Sequence, residues 1–323
     1  VLRNEVQGIL DLGVELKTNS RVSSAESLLA EGYQAAFVAT GMHGRMRLGI
    51  PGEDSPHYLD SLAFLKAVNT GKRVETGRRV AVIGGGNTAI DVAGSALRLG
   101  AKEAVLVYRR TRAEMPASSE EVEAALEEGV RIMELVAPLA IKDKNGAALL
   151  ECQRMRLGPV DASGRRRPLP LEGETFNMEF ETIIGAVGQQ LETDERLGLS
   201  LSQQNTIMAD QYSLATPQKG VFAGGDAVRG PSSIIEAIAD GRQAAQSIDI
   251  FLDGSGDIGE RLIEPEASPG PVGEPTDKHR VHPDTVPVSR RLEGFDLIEA
   301  GYSREQAMEE ALRCLHCDLE PRE

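Results

Sequence analysis

The feature that most constrains the fold is a buried-strand pattern that runs directly into a glycine-rich turn and then a helix. Val80–Ile83 is an apolar run with the length of a buried strand, and Gly84-Gly85-Gly86 follows it at once. The helical pattern after the glycines extends to about Leu99, and Ala104–Tyr108 predicts the next strand. Two strands joined by one helix form a βαβ unit, which pairs them in parallel through a right-handed crossover. The sequence therefore predicts an α/β fold.

The glycine-rich turn has the spacing of a phosphate-binding loop, Gly84-x-Gly86-x-x-Ala89. In such a loop the first glycine permits a tight turn, the second lets the backbone approach a pyrophosphate, and the third position packs the helix on the sheet. Amides near Asn87 and Thr88 would point at the phosphates from the helix N-terminus. The alternative is a glycine-rich turn without a ligand, but the flanking strand, helix and second strand favour a dinucleotide site.

The end of the second strand indicates which dinucleotide would bind. Sites that take NAD place Asp or Glu there, to bond the ribose 2′-hydroxyl. Here Arg109 and Arg110 follow Tyr108. A guanidinium can bind a 2′-phosphate bidentately, whereas a carboxylate repels it. The sequence therefore predicts NADPH, with a solvated basic turn in an acidic protein as the alternative.

The remaining patterns predict further helices, strands and a meander. Helices are expected over residues 2–12, 61–70, 118–128, 231–251 and 304–313, and strands over 14–17, 35–39, 130–136, 182–187 and 221–223. Residues 145–180 alternate and turn near positions 145, 161–164 and 172, which predicts an antiparallel meander. Arg165-Arg166-Arg167 lies at one of these turns, where a solvated turn is favoured over a docking site for an acidic partner. Residues 264–287 are rich in Pro and predict an extended linker.

Composition excludes several classes of function. The chain has 35 Lys+Arg against 50 Asp+Glu, a formal net charge of −15, which argues against a general nucleic-acid binder and a polybasic membrane anchor. No apolar run is long enough for a membrane span. Three Cys cannot build a disulfide framework, so a cytoplasmic location is expected. The chain opens at Val1 inside an amphipathic pattern, so we expect a fragment whose natural N-terminus lies upstream.

Six short motifs occur in a fixed order along residues 1 to about 252. They are Leu48–Asp54 (LGIPGED), Val82–Ala89 (VIGGGNTA), Tyr108–Arg110 (YRR), Glu114–Ala117 (EMPA), Ala186–Gln189 (AVGQ) and Gly220–Asp226 (GVFAGGD). Together they resemble the small (beta) subunit of glutamate synthase and its relatives, which are flavin- and NADPH-dependent electron-transfer proteins. The flavin half of dihydropyrimidine dehydrogenase is similar.

The resemblance implies a domain organisation. In that family the NADPH domain is inserted in the FAD domain, which places a Rossmann-like three-layer NADPH domain at residues 77–189. Residues 1–76 and 190–252 would form the FAD domain, and residues 253–323 an extended C-terminal tail. The family's first GxGxxG, which holds the ADP part of FAD, has no counterpart here. We therefore expect an incomplete FAD domain that holds FAD poorly or not at all.

The resemblance also implies flavin-site residues at the exits of strands. Thr40-Gly41 and Gly188 resemble the exits of the two crossover strands. Gly225-Asp226 resembles the motif whose Asp bonds the ribityl or pyrophosphate region of the flavin, the alternative being an ordinary turn or cap residue. Ser233-Ile234 begins a helix that would present its N-terminus to the flavin.

Cys314-x-x-Cys317 near the C-terminus has three interpretations. The pair could supply two ligands of an iron–sulfur or zinc site completed by another segment, form a redox dithiol, or be two unconnected thiols. A cluster needs four ligands, and the third cysteine, Cys152, is distant and expected to be a packed small residue. The surrounding sequence, Arg313–Asp318, resembles the junction to ferredoxin-like modules in relatives.

The function implied by the resemblance is an oxidoreductase module that passes electrons from NADPH through FAD to iron–sulfur centres or a partner subunit. Such hydride transfer needs positioning rather than a protein acid or base, so no catalytic residue is expected. Two rivals remain: a non-catalytic NADPH-binding or scaffolding fragment, and a thioredoxin-reductase-like dithiol reductase. The second rival would carry its dithiol in the NADPH domain, where this chain has only Cys152.

Overall fold

The computed structural model describes residues 2–161, 164–192, 197–258 and 279–313. The described helices are α1 (Leu2–Asp11), α2 (Ala25–Ala30), α3 (Ser61–Asn69), α4 (Asn87–Arg98), α5 (Ser119–Glu127), α6 (Asp226–Arg229), α7 (Ile234–Phe251), α8 (Val288–Arg291) and α9 (Arg304–Ala311), with a 3-10 turn at Arg112–Glu114. The described strands are β1 (Ala36–Val38), β2 (Gly44–Arg45), β3 (Tyr58–Asp60), β4 (Arg79–Ile83), β5 (Glu103–Tyr108), β6 (Arg131–Glu134), β7 (Val136–Lys144), β8 (Ala147–Val160), β9 (Arg166–Phe180), β10 (Thr182–Gly185), β11 (Gln189–Gln190) and β12 (Val221–Ala223).

The chain forms two compact units. Unit 1 combines the described parts of residues 1–44 and 189–260, and unit 2 those of residues 45–188 and 261–323. The predicted boundary near residue 76 differs from this division, because β3 pairs with β10 and α3 buries Phe64 in a core of unit 2. Residues 45–76 therefore lie in the same compact unit as residues 77–188.

Unit 2 is built on a five-stranded parallel sheet with the order β3-β10-β4-β5-β6. Strand β4 explains the layering, because its side chains alternate between two cores. Val80 and Val82 pack with α3, α4 and α5 on one face, and Ala81 and Ile83 pack against the β7-β8-β9 meander on the other. This helix–sheet–meander sandwich confirms the predicted α/β fold with three layers.

Three local predictions were wrong in detail. Residues 14–17 are exposed and form no strand, because their apolar side chains have no sheet to join. The strand predicted over 130–136 is interrupted at Leu135, which has a positive φ of 55° and separates β6 from β7. Gly173, expected in a turn, lies inside β9, where the β8–β9 register shifts.

Unit 1 contains a short parallel pair, β1 with β12. Val38, Val221 and Ala223 from this pair are buried with Ala25 of α2 and with Ile207. Both strands end at glycine-containing turns, and α7 follows the second of them. The carboxyl ends of the two parallel strands therefore lie near the start of α7.

The C-terminal segment 279–313 carries the predicted last helix. Ser303 caps α9, and its hydroxyl accepts a hydrogen bond from the Gln306 amide at 3.1 Å. Most of the expected Pro-rich linker, residues 264–278, lies outside the described residues, as do Cys314 and Cys317. Within the described ranges, no helix has both the length and the apolar character needed to cross a membrane.

Candidate functional site

The glycine loop between β4 and α4 contains two glycines, Gly84 and Gly86, whose conformations and surroundings differ. Gly84 has a φ of 151°, and a Cβ there would lie 2.2 Å from the Ala186 carbonyl oxygen, so the fold itself requires glycine. Gly86 has an ordinary φ of −92°, and the nearest atom to an added Cβ is in Pro116, at 3.8 Å. Since neither conformation nor crowding within the chain demands glycine at 86, its bare backbone suits a ligand that approaches this position.

The start of α4 fits an anion. Gly86 is the N-cap residue and supplies no side-chain hydrogen bond to the helix. The side-chain oxygen of Asn87 accepts from the Ser118 amide at 3.2 Å, and Thr88 is half-buried beside it. First-turn amides of a helix have no intrahelical acceptor, so this end presents donors and the positive end of the dipole. Ala89 is fully buried against the sheet, as the loop spacing predicts.

The EMPA motif supports the glycine loop, a role that sequence reasoning did not assign. The Ala117 amide donates to the Gly85 carbonyl at 3.2 Å. The Tyr108 hydroxyl donates to the Glu114 carbonyl at 2.7 Å, and the Tyr108 ring lies 2.5 Å from the position of a Cβ on Gly85. The segment after β5 thus folds back and fixes the loop from one side.

The two arginines after β5 have different environments. Arg109 is exposed, and no described carboxylate pairs with it. Arg110 is only 4% exposed; its Nη2 donates to Asp161 at 2.7 Å and its Nε donates to the Arg166 carbonyl at 2.7 Å. The guanidinium of Arg110, which the sequence predicts at the 2′-phosphate, is thus held by partners inside the protein. Arg109 remains the candidate.

A second candidate site lies in unit 1, at the carboxyl ends of β1 and β12. A cavity of about 260 Å³ is lined by Phe37, Ala39, Gly41, Gly224, Gly225, Asp226, Ser232, Ser233, Ile234 and Ala237. The structure thus brings together five of the predicted flavin-site residues. Thr40 is exposed beside this set and is not among the lining residues. Gly188 belongs to unit 2, where an added Cβ would lie 2.9 Å from the Met46 sulfur.

Asp226 has local partners within this cavity. One of its oxygens accepts from the Ser232 amide at 3.1 Å and from the Ser232 hydroxyl at 2.9 Å. The Ser233 hydroxyl accepts from the Glu236 amide and closes a capping box at the start of α7. The second oxygen of Asp226 has no hydrogen bond to a described residue, so one acceptor is available to a ligand.

Asp240 is a supporting residue that sequence reasoning missed. It is 2% exposed, and its carboxylate accepts from the Gly225 amide at 2.8 Å and from both Nε and Nη2 of Arg229. The Arg229 guanidinium and the Gly225 amide hold the pKa of Asp240 below its usual range. In the sequence, the signal for this supporting role was an acidic residue on the inner face of the helix that follows the GGD turn.

Cys152 is the one cysteine among the described residues, and its thiol is free and buried. It is fully buried in the meander, and burial raises the pKa of its thiol to about 12. Among the residues with described positions, no group of three or more His, Cys, Asp or Glu is arranged to hold a metal ion. The metal assignment of Cys314 and Cys317 falls outside the described residues.

A comparison with protein families matches residues 2–241 to the family described as pyridine nucleotide-disulphide oxidoreductase. The chain belongs to this family. Membership agrees with the parallel sheet, the glycine loop and the second glycine turn described above. It also confirms the predicted class of NAD(P)H-dependent flavoprotein oxidoreductases.

Curated relatives in the family confirm the resemblance that the motifs predict. The chain is 38% identical, over 98% of its length, to the NADP(+)-dependent formate dehydrogenase subunit beta of Moorella thermoacetica, and it covers 47% of that protein. It is 33% identical, over 78% of its length, to the glutamate synthase [NADPH] small chain of Azospirillum brasilense, and covers 56% of it. The chain spans about half the length of the curated relatives it matches.

Solved structures show the same fold. FprA of Mycobacterium tuberculosis, in complex with NADPH, matches with a TM-score of 0.59 and 21% identity over 73% of this chain and 67% of that one. Thioredoxin reductase of T. acidophilum matches with a TM-score of 0.52 and 20% identity over 68% of this chain and 65% of that one. At these identities the likeness concerns architecture, and it does not favour dithiol chemistry.

Proposed function

We propose that this chain is part of an NADPH-dependent FAD oxidoreductase subunit that delivers electrons to a partner subunit or an iron–sulfur domain. The observation that carries the proposal is Arg109, an exposed guanidinium without a described carboxylate partner, at the carboxyl end of β5 beside the glycine loop. Ligands of parallel α/β sheets bind at this end of the strands. When bound, NADPH and FAD would supply the hydride and electron chemistry.

On the nucleotide side, the chain's own residues bind and orient. The bare backbone at Gly86 and the first-turn amides of α4 would hold the pyrophosphate, with Asn87 and Thr88 beside it. Ala89 keeps the helix close to the sheet, so that these amides remain aimed at one point. Arg109 would select the 2′-phosphate, because a planar guanidinium pairs bidentately with phosphate oxygens.

On the flavin side, the cavity of unit 1 fits one end of a polar, anionic cofactor. Gly41 and Gly225 expose backbone along its wall, and the N-terminus of α7 at Ser233-Ile234 faces it with donor groups. Asp226 offers an acceptor suited to a ribityl hydroxyl or an ordered water. The cavity of about 260 Å³ is smaller than a complete FAD needs, so we propose that further chain completes the site, as the length of the relatives suggests.

Partners are proposed on the names of the relatives, which include beta subunits and small chains. Cys314 and Cys317 would lie close to the acceptor and contribute two ligands to a cluster completed elsewhere, since soft thiolates suit iron–sulfur or zinc sites. Replacing both by Ser should lower the iron content or the rate of partner reduction in the full complex and leave NADPH affinity intact. If the iron content and the rate of partner reduction are both unchanged, the two cysteines are not cluster ligands.

The test of the proposed nucleotide site is a binding titration with NADPH and NADH. Arg109→Ala should weaken NADPH binding by roughly 1.5–3 kcal/mol, the worth of a hydrogen bond to a charged group, and leave NADH binding nearly unchanged. Arg131→Ala is the matched control, because Arg131 is an exposed arginine at the start of β6, the opposite end of the same sheet. Equal losses for both nucleotides in Arg109→Ala would contradict the assignment.

The rival scaffolding function is tested separately by flavin content. A longer form of the protein that includes upstream sequence should bind FAD and show a flavin absorbance spectrum that NADPH bleaches. A longer form that binds NADPH but takes up no flavin would favour the non-catalytic alternative.

A further inference from the structure

The hairpin formed by β8 and β9 extends to a basic tip, which we call the arm tip and define as residues 158–161 and 164–168. The tip is fastened to the end of β5. Arg110 donates from Nη2 to the Asp161 carboxylate and from Nε to the Arg166 carbonyl, each at 2.7 Å. The side chain of Arg110 is 5% exposed and that of Asp161 is 27% exposed, so this fastening is largely shielded from water.

The backbone strengthens the same connection. The Leu135 amide donates to the Arg110 carbonyl at 3.0 Å, and the Met155 amide donates to the Leu135 carbonyl at 2.8 Å. The hairpin is therefore joined to residue 110 through main-chain hydrogen bonds as well as through a guanidinium. Because Arg109 is the adjacent residue, the arm tip is held to the chain one residue away from the group proposed to meet the 2′-phosphate.

Two arginines of the arm tip carry positive charge that no described carboxylate neutralises. Arg166 and Arg167 are both exposed. Arg166 makes one long hydrogen bond, from Nε to the Gly158 carbonyl at 3.3 Å, which leaves its two Nη groups available. The Arg167 side chain has no hydrogen bond or ion pair with any described residue. The one described carboxylate of the tip, Asp161, is paired with Arg110, so it does not cancel these charges.

We infer that the arm tip, through one of the two guanidinium groups that Arg166 and Arg167 project from opposite faces of β9, supplies a second cation to the 2′-phosphate site of Arg109. The inference rests on the proposed NADPH function. A phosphate dianion is bound better by two or three guanidinium groups than by one, because its three terminal oxygens accept several charge-assisted hydrogen bonds. The chain has a net charge of −15, so a local concentration of arginines at one strand end is suited to attract this anion.

Arg110 then acts as a positioning residue. Its guanidinium cannot reach the phosphate while it holds Asp161 and the Arg166 carbonyl, but it sets the distance between the arm tip and β5. The two arginines after β5 would thus have different roles. Arg109 would contact the ligand, whereas Arg110 would hold the arm tip in a position to contact it.

The experiment measures binding of adenosine 2′,5′-bisphosphate and of 5′-ADP to the purified chain by calorimetry, which requires no flavin and no turnover. We expect Arg166→Gln/Arg167→Gln to weaken the 2′,5′-bisphosphate roughly tenfold or more and to leave 5′-ADP binding within about twofold, since each charged hydrogen bond is worth about tenfold. Arg110→Met, which frees the arm tip, should lower the same selectivity ratio. A merely structural role would weaken both ligands equally.

The matched control is Arg73→Gln/Arg131→Gln, which removes the same charge from two exposed positions of unit 2, before β4 and at the start of β6, and should leave the ratio unchanged. If Arg109→Ala abolishes the preference for the 2′-phosphate while Arg166→Gln/Arg167→Gln retains it, the inference about the arm is overturned and the proposed function stands. If the wild-type chain binds both ligands equally, the NADPH assignment and this inference are both overturned.

Discussion

Arg229 and Asp240 form a two-point ion pair that anchors the glycine turn of unit 1. The Arg229 Nε lies 2.8 Å from one carboxylate oxygen of Asp240, and Nη2 donates to the other. The first of these oxygens also accepts the Gly225 amide at 2.8 Å. Asp240 is buried on α7, whereas the Arg229 side chain is 44% exposed, so the carboxylate connects the helix to the turn that lines the cavity.

Removing this carboxylate should destabilise unit 1 and disturb its cavity. Asp240→Ala leaves the Gly225 amide without an acceptor and Arg229 without a counter-charge. We expect a loss of about 1–3 kcal/mol in the free energy of unfolding, the usual cost of an unsatisfied buried group, because partial exposure of Arg229 moderates the effect. Urea unfolding followed by circular dichroism measures it. Arg242→Ala, at an exposed arginine of the same helix, should change stability little; equal losses in the two variants would contradict the role of Asp240.

The same pair should make stability depend on pH in a defined direction. Arg229 and the Gly225 amide lower the pKa of Asp240 in the folded protein. A lowered folded pKa stabilises the fold above the unfolded value, about 3.9, and this stabilisation is lost as pH falls through the folded pKa. The difference in unfolding free energy between the wild type and Asp240→Asn should therefore be largest near neutral pH and shrink below about pH 4. A difference that grows on acidification would contradict this assignment.

Gly84 should be far less tolerant of substitution than Gly100, which also has a positive φ. A Cβ at Gly84 would lie 2.2 Å from the Ala186 carbonyl oxygen, whereas one at Gly100, whose φ is 101°, meets nothing within 4 Å. Gly100→Ala should cost about 1–2 kcal/mol through backbone conformation alone. Gly84→Ala must also separate β4 from the chain after β10 and should cost at least about 3 kcal/mol. Similar losses in the two variants, measured by urea unfolding, would show that the close approach is unimportant.

Much of unit 2 could be predicted because its local signals agree with each other. The strand, glycine loop and helix over residues 80–99 lie as the sequence indicates, since apolar alternation, turn chemistry and packing favour one structure. Val14–Lys17 has the same apolar character as a strand but remains exposed, because a strand needs a neighbour that local sequence cannot supply.

In the candidate sites, too, some residues could be predicted from the sequence and others could not. Gly41, Gly225, Asp226, Ser233 and Ile234, which line one cavity, could be placed together because the family resemblance assigns them to one flavin site. The contrast between Arg109 and Arg110 could not be predicted, because it depends on Asp161, a residue 51 positions away in sequence from Arg110. Long-range partners of this kind leave no trace in the spacing of a local motif.

Cys152 should not react with alkylating reagents in the folded protein. The thiolate is the reactive form of cysteine, and burial raises the pKa of this thiol to about 12. In Cys314→Ser/Cys317→Ser, where Cys152 is the remaining cysteine, alkylation near pH 8 should be negligible in buffer and complete in urea. Mass spectrometry of the labelled peptide measures the extent. Rapid labelling of the folded protein would revive the dithiol-reductase alternative.

Arg98 joins two helices of unit 2 to the C-terminal segment. Its Nη2 donates to both oxygens of Glu128, at 2.7 and 2.6 Å, and its Nε donates to the Arg291 carbonyl at 3.1 Å. The Arg98 side chain is 13% exposed and the Glu128 side chain 5%, so Arg98→Met leaves a buried carboxylate alone. We expect a loss of about 3–5 kcal/mol in the free energy of unfolding, against less than about 1 kcal/mol for Arg131→Ala, whose ion pair with Glu103 is exposed.

The double variant Arg98→Met/Glu128→Leu separates the ion pair from the docking of the C-terminal segment. Replacing both partners of a buried pair by apolar side chains is often nearly neutral, so most of the lost stability should return. The Arg291 carbonyl still lacks its donor in this variant, so residues 279–313 should be cleaved faster by protease than in the wild type, although unfolding occurs at nearly the same urea concentration. If protease resistance returns together with stability, the hydrogen bond from Arg98 to Arg291 does not hold this segment in place.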